Sequence, residues 1–219
     1  MLFRSARTDP TVPKHRGLTF FVVDMTAPGV EVRGLRQITG EAEFNEVFLT
    51  DLRIPDEQRL GEVGQGWAVA QTTLMNERVA IGGGTLPRES GAAGFLARTW
   101  REHPEIRTPA RQDRVLELWV RAEAARLTAE RLGQQMAAGQ PGPEGSGVKI
   151  TFAELNQAAS ALELELLGGD GLRYADWTDR RPDTMSYDQK DAPWRYLRYR
   201  ANSIEGGTTE ILQIGRAHV

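Results

Sequence analysis

Two glutamates and two glycine-rich segments carry the residue types from which this sequence could build chemistry. Glu77 sits on a stripe, Trp67, Ala70, Leu74, Glu77 and Ile81, whose members step by three and four as one face of a helix does. A carboxylate among apolar neighbours is costly unless paired or used. Desolvation would raise its pKa, which suits a general base working near neutral pH; equally, a glutamate at the edge of the stripe can pair with an arginine such as Arg78. In SIEGGTTEI (residues 203–211), Glu205 precedes Gly206 and Gly207, with Thr208 and Thr209 placed to cap a following helix. Amides exposed at such a start favour anionic or carbonyl groups, so Glu205 is a second candidate base, although an ordinary capped loop explains the same residues. In LLGGDG (residues 166–171), glycines let a planar or phosphate-bearing ligand approach the backbone, or simply end a helix. Because they follow a helix and not a strand, they do not form a dinucleotide-binding glycine loop of the usual kind.

The elements that would position these groups change character near Gly61. Before it lie short β-rich runs: LTFFVVDM (18–25), APGVEVRGL with Pro28-Gly29 as a turn, and FNEVFLTDLRIP (44–55), bent at Thr50-Asp51 and ended by Pro55. Three such strands make an incomplete sheet, marginal by itself. After Gly61 the period is helical. The first helix meets Gly82, Gly83 and Gly84, where it either breaks or passes close to something, and the pattern resumes over 90–100. A second helix is expected over about 109–138, with Val115, Leu118, Trp119, Ala122, Ala125, Ala129, Leu132 and Met136 on its apolar face. GQPGPEGSG (139–147) reads as a loop. A third helix carries Val148, Phe152, Leu155, Ala159, Leu162 and Leu166 and stops at Gly168-Gly169. A polar stretch runs to Asp191, and Pro193 opens a fourth helix. Long helices with apolar stripes predict a bundle.

Composition narrows the classes of function. The 219 residues are 40% hydrophobic and 26% charged, with a net charge of −3, so no basic face invites nucleic acid. The absence of cysteine excludes disulfides, thiolate zinc sites and cysteine nucleophiles. The three histidines, His15, His103 and His218, are scattered, and no metal site is expected. There is no apolar run of membrane-spanning length and no signal-peptide core, so a cytoplasmic location is the expectation.

In order and wording, these segments resemble the acyl-CoA dehydrogenase family over nearly the whole chain. RTDP…HRGLTFFVVDMTAPGV is similar to the second half of that family's middle β domain. RQITGEAEFNEVFLTDLRIPDEQRLGEVGQGWAVAQTTL is similar to its junction with the C-terminal helical domain: a strand ending in a V-x-V-P-like run, a G-x-G-W-like turn, then a helix with an E-R pair. LLGGDG resembles the family's Q-x-x-G-G-x-G flavin-contact loop, and IEGGTTEI its G-T-x-E/Q-I loop near the flavin ring. The implied fold is an α+β fragment, mainly α: a partial antiparallel β domain over 1–60, then a four-helix bundle of acyl-CoA dehydrogenase type over 61–213. The family's N-terminal helices and early β domain are expected to be missing. Residues 214–219 (IGRAHV) read as a non-native tail, similar to translated library adapter.

The resemblance implies FAD, an acyl-CoA thioester substrate and α,β-dehydrogenation, with a carboxylate taking the α-proton as hydride leaves the β-carbon. The family has two slots for that carboxylate. Glu77 occupies the E-R slot of the first bundle helix. The other slot, two residues before the loop threonine, holds Gly206, with Glu205 one position earlier; Glu77 is therefore the favoured base and Glu205 the second choice. Gly206, Gly207, Thr208 and Glu210 match flavin-contact positions, and Gly168, Gly169 and Gly171 match the other flavin loop, which in the family often touches the FAD of a neighbouring subunit. Two departures stand out: Glu165 replaces the usual glutamine, placing negative charge near a pyrophosphate, and the Arg-x-x-Phe-Gly stretch is replaced by TWREHPEIRTPARQ, leaving Arg101 as a loose phosphate-binding candidate. The implied partners are an electron-transfer flavoprotein and further copies in a homodimer or homotetramer. The alternatives are a flavin monooxygenase or oxidase of the same fold, which often lacks the base, and a catalytically silent subunit of a hetero-oligomer. By itself the chain is expected to be inactive.

Overall fold

The computed structural model describes residues 2–82, 86–138, 144–174, 187 and 190–214, with 75–82, 144 and 214 described by backbone alone. The chain divides into two compact units, residues 1–35 with 42–77, and residues 36–41 with 78–219.

The first unit holds five antiparallel strands in two small sheets. β1 (Leu2–Arg7), β2 (Leu18–Val23) and the two-residue β5 (Arg59–Leu60) form one sheet in the order β1-β2-β5, with Leu2 opposite Val23 and Phe20 opposite Leu60. β3 (Val30–Leu35) and β4 (Phe44–Leu49) form a hairpin, Val30 opposite Leu49 and Leu35 opposite Phe44. Composition signalled β2, β3 and β4. It did not signal β1, whose LFRSAR is half polar and largely exposed, or β5, which is too short to show a period. The run expected to reach Pro55 ends as a strand at Leu49, because Asp51 takes a left-handed backbone (φ 49°) that stops the ladder. The G-x-G-W turn has a steric reason: a Cβ on Gly66 would lie 2.8 Å from the Leu18 carbonyl oxygen, so only glycine lets the next helix start this close to β2. Thr19, fully buried, accepts the Gly64 amide at 3.1 Å and shares a hydrogen bond with Thr8.

Helix α1 (Gly66–Gly82) follows that turn, and residues 83–85 lie outside the described residues. In the second unit, α2 (Gly91–Glu102), α3 (Pro109–Ala137), α4 (Glu144–Leu167) and α5 (Ala192–Tyr199) form the bundle, with α4 against each of the others, and the short α6 (Thr209–Ile214) packs on α4 as well. Caps fix the starts: Thr108 accepts the Arg111 amide ahead of Pro109, and Asp191 accepts the Trp194 amide at 2.9 Å ahead of Pro193. The core joins Ala92 and Leu96 of α2, Val115 and Leu118 of α3, Leu155, Ala159, Leu162 and Leu166 of α4, and Tyr199 of α5. Two expectations need correcting. Helix α4 begins at Glu144, so the last four residues of the stretch read as loop, 144–147, are helical. Phe152, placed on its apolar stripe, is 42% exposed, because Ala153 and Leu155, both buried, take the inward face at that level.

A polar face on the same helix is the main feature the apolar periodicity hid. Lys149, Asn156, Ser160 and Glu163 step by seven, four and three along α4, and the last three are buried. Glu163, 2% exposed, accepts from Arg195 of α5 at 2.7 Å and from the Thr99 hydroxyl of α2 at 2.9 Å. The Arg195 guanidinium lies 4.1 Å above the Phe95 ring and donates to the Lys190 carbonyl. Within the same unit, buried Glu41 accepts from Lys190 and, at 2.9 Å, from the Trp194 indole, while Tyr174 donates to the Thr39 carbonyl. On the other side of the bundle, Glu89 ties α2 to α3 through Arg101 (2.7 and 2.8 Å) and the Trp119 indole (3.1 Å).

These pairs set measurable stabilities. Glu163→Ala strands a buried guanidinium and is expected to destabilise the bundle by about 3–5 kcal/mol in chemical denaturation, whereas Glu31→Ala, which removes an exposed partner of Arg33, leaves the midpoint unchanged. Hydrogen bonds from Arg101 and then Trp119 hold the Glu89 carboxyl below its ordinary value of 4.5. A carboxyl with a lowered folded-state pKa stabilises above its ordinary value and loses that contribution as pH falls through the lowered one. The stability gap between the natural chain and Glu89→Gln should therefore be full at neutral pH and close on acidification below 4.5.

Candidate functional site

The glycine-rich segments identified from sequence lie toward opposite ends of α4. At about 1.5 Å of rise per residue, the run from Lys149 to Gly168 spans roughly 28 Å. Near the start of α4, Lys149 meets the turn carrying Glu205, Gly206, Gly207, Thr208 and Glu210; past its end lie Gly168, Gly169 and Gly171. Within one chain these are two surfaces, not one pocket.

The turn at the first surface is built by two successive left-handed glycines, Gly206 (φ 65°) and Gly207 (φ 100°), a conformation in which a side chain would be strained. Its approach is fastened to α4 by the Asn156 amide on the Asn202 carbonyl oxygen (3.0 Å), by Gln157 on the Tyr199 carbonyl (3.2 Å) and by Arg200 on the Gln157 carbonyl (3.1 Å). Glu205 is 40% exposed at its side chain and already accepts from Arg198 at 3.1 Å and from Asn202. Each oxygen of this half-exposed carboxylate thus already accepts one donor, which takes two of its four or so acceptor positions. Thr208 caps α6, its hydroxyl accepting the Ile211 amide at 3.4 Å. Glu210 is held below the ordinary carboxylate range by its own amide and by the Thr208 hydroxyl.

At the second surface the three glycines have three different reasons. Gly168 (φ 57°) caps α4, its amide bonding the Leu164 carbonyl at 3.1 Å. Gly171 is buried, and a Cβ there would lie 2.6 Å from the Leu164 carbonyl oxygen. Gly169 has ordinary backbone angles and nothing within 4 Å of its would-be Cβ. This chain therefore imposes no glycine at 169, and its open backbone face suits a flat or phosphate-bearing group. The objection raised by Glu165 weakens here: Arg114 of α3 forks onto both its oxygens at 2.5 and 2.7 Å, cancelling its charge and holding its carboxyl below the ordinary range. The same pair rims a shallow groove of about 320 Å³ floored by Leu118, Ala158, Ala161 and Leu162.

The remaining candidates stand apart. The backbone of Glu77 runs in α1, but its side chain lies outside the described residues. Arg101, in the last turn of α2, is engaged by Glu89. The 214–219 tail, apart from the Ile214 backbone, lies outside the described residues too. Among the described residues no cluster of His, Asp or Glu could hold a metal ion, and no helix is long and apolar enough to cross a membrane. Sequence reading missed Lys149, Asn156, Asn202 and Arg198; the second, polar period along α4 is the signal that could have found the first two.

The different reasons for the glycines make different substitutions informative. Gly171→Ala should cost about 1–3 kcal/mol in thermal unfolding through backbone overlap, while Gly169→Ala leaves stability unchanged and acts only on what binds there.

The family description "acyl-CoA dehydrogenase, C-terminal domain" matches residues 64–217. Acyl-CoA dehydrogenase FadE34 of Mycobacterium tuberculosis is 38% identical over 211 residues, covering 94% of this chain and 27% of FadE34. Acyl-CoA dehydrogenase IpdE1 of the same organism is 32% identical over 214 residues, covering 95% of this chain and 51% of IpdE1. The chain thus spans about half or less of these relatives. The solved Tcur3481-Tcur3483 steroid ACAD overlays with a TM-score of 0.79 at 20% identity, covering 98% of this chain and 56% of that one, a likeness of fold. A mainly helical bundle with small antiparallel sheets agrees with these likenesses: the chain belongs to the acyl-CoA dehydrogenase family.

Proposed function

We propose that this chain supplies the helical half of a flavin-dependent enzyme that removes hydrogen from the α and β carbons of an acyl-CoA thioester. The observation that carries the reading is the family match across 64–217; Glu77 of α1 is our candidate for the base, from its resemblance to the family's E-R slot. Support comes from relatives named as acyl-CoA dehydrogenases and from the donor chemistry of the second surface, where a bare backbone at Gly169 and a neutralised Glu165 fit an anionic cofactor. FAD, when bound, supplies the two-electron acceptor.

The chain's own residues would do the rest. Glu77, on a stripe with Leu74 and Ile81, takes the α-proton onto its carboxylate. Leu74 is 50% exposed in this chain, so the desolvation that would keep the carboxylate basic at neutral pH is assigned to the site once substrate covers it. Gly206 and Gly207 leave room for ring or substrate beside the turn, and Thr208 and Glu210 shape it. Gly168, Gly169 and Gly171 would face a cofactor held by a neighbouring copy, since they lie roughly 28 Å along α4 from the turn. A homodimer or homotetramer, as the family resemblance implies, is the proposed assembly, and that separation accords with it. An electron-transfer flavoprotein is the proposed electron acceptor. Arg101 remains a weak phosphate contact, because it must leave Glu89 to serve.

The test is flavin bleaching by a panel of acyl-CoA thioesters in the protein that carries this chain. Glu77→Gln should keep FAD and lose about 10²–10⁴ of the bleaching rate, with Glu205→Gln staying within a few-fold of the natural chain. Undiminished bleaching in Glu77→Gln would remove the assignment of the base.

A further inference from the structure

Lys149 is used by none of the roles above, yet it makes one of the most specific contacts at the first surface. It projects from the second turn of α4, and its ammonium donates to the Gly207 carbonyl at 2.6 Å across fifty-eight positions of sequence. Among the described residues no other side chain bonds a carbonyl of the stretch 204–208. The group is partly withdrawn from water: burial lowers its pKa from the ordinary value, opposed by the charges of Glu205 and Glu210. A lysine on a helix surface normally leaves its ammonium in solvent. Here it gives up hydration to hold a main-chain oxygen.

The oxygen it holds is well chosen. Gly206 and Gly207 are both left-handed, and two adjacent glycines are the freest backbone a chain contains. Upstream, Asn156, Gln157 and Arg200 fasten the segment only as far as Asn202. Downstream, buried Leu212 anchors α6. Between those anchors Arg198 and Asn202 hold the Glu205 side chain, and Lys149 holds a main-chain oxygen: the peptide it grips links Gly207 to Thr208. Fixing its carbonyl fixes the direction of the Thr208 amide, which points the opposite way across the peptide plane.

We infer that Lys149 is a positioning residue, an ammonium latch from α4 that sets the orientation of the Gly207–Thr208 peptide and so presents the turn to the flavin. The latch rests on geometry alone; its consequence for the cofactor rests on the proposed flavin contact of the turn, and the experiment separates the two.

Lys149→Met and Lys149→Arg are compared with the natural protein carrying this chain. Leu96→Ala serves as a variant that weakens only the core. Amide exchange over 206–211 in the flavin-free protein reads the latch. FAD affinity and the visible absorption and dichroism of bound flavin read its consequence. Lys149→Met should speed exchange at 206–209, weaken FAD binding about ten- to hundredfold and shift the visible band. Lys149→Arg should restore much of each, and Leu96→Ala should lower the melting midpoint with the flavin spectrum unmoved. If Lys149→Met does not fold by far-ultraviolet dichroism, Lys149→Gln carries the same comparison. Unchanged exchange at 206–209 without the ammonium overturns the latch. Faster exchange with unchanged FAD affinity and spectrum keeps the latch and removes the flavin contact of this turn.

Discussion

A carboxylate shut away from water has to be answered by positive charge in the same place, and the bundle is organised around one such answer. Glu163 projects inward from the central helix, 2% exposed, and receives Arg195 from α5 and the Thr99 hydroxyl from α2. Apolar contacts tolerate small slides between helices. A charged pair with two defined donors does not, because any register that separates them leaves an ion buried alone. The pair therefore sets how three helices stand relative to one another, and with them where α5 delivers Arg198, Asn202 and the glycine turn that follows. The buried Glu41 contact with Trp194 and Lys190 pins the start of the same helix.

The sequence made the large elements legible because their signals are physical and local. Pro109 behind Thr108 and Pro193 behind Asp191 mark helix starts, since a missing amide costs nothing there and the preceding oxygen is free to cap. Pairs of glycines ended or interrupted what periodicity began. β1 was invisible because an exposed, half-polar strand has no burial pattern to show. The start of α4 was hidden by glycines and two prolines at 141–147 that read as loop, although the helix reaches back to Glu144. Phe152 was misplaced because Ala153, which the fitted stripe left out, takes the inward face at its level together with Leu155.

The candidate site was legible as segments and not as an arrangement. IEGGTTEI and LLGGDG are conspicuous as strings, but nothing in their spacing says that a whole helix separates them. Nor does spacing distinguish Gly168, shaped by its backbone angle, and Gly171, shaped by a neighbour's carbonyl, from Gly169, which the chain itself leaves unconstrained. The donors on Glu205 come from α5 and the turn after it, so its engagement appears only once Arg198 and Asn202 are folded against it.

The fork between Arg114 and Glu165 also bears on how this surface differs from one carrying glutamine at the same place. As it stands, acid and base cancel, and the mouth beside Gly168 is electrically quiet. The acid acts as a mask: an amide in its position would leave the guanidinium's charge unspent on the rim of the groove, turning a neutral rim into an anion trap sensitive to salt. One carboxylate on α4 thus governs whether the arginine of α3 serves its neighbour helix or a visitor.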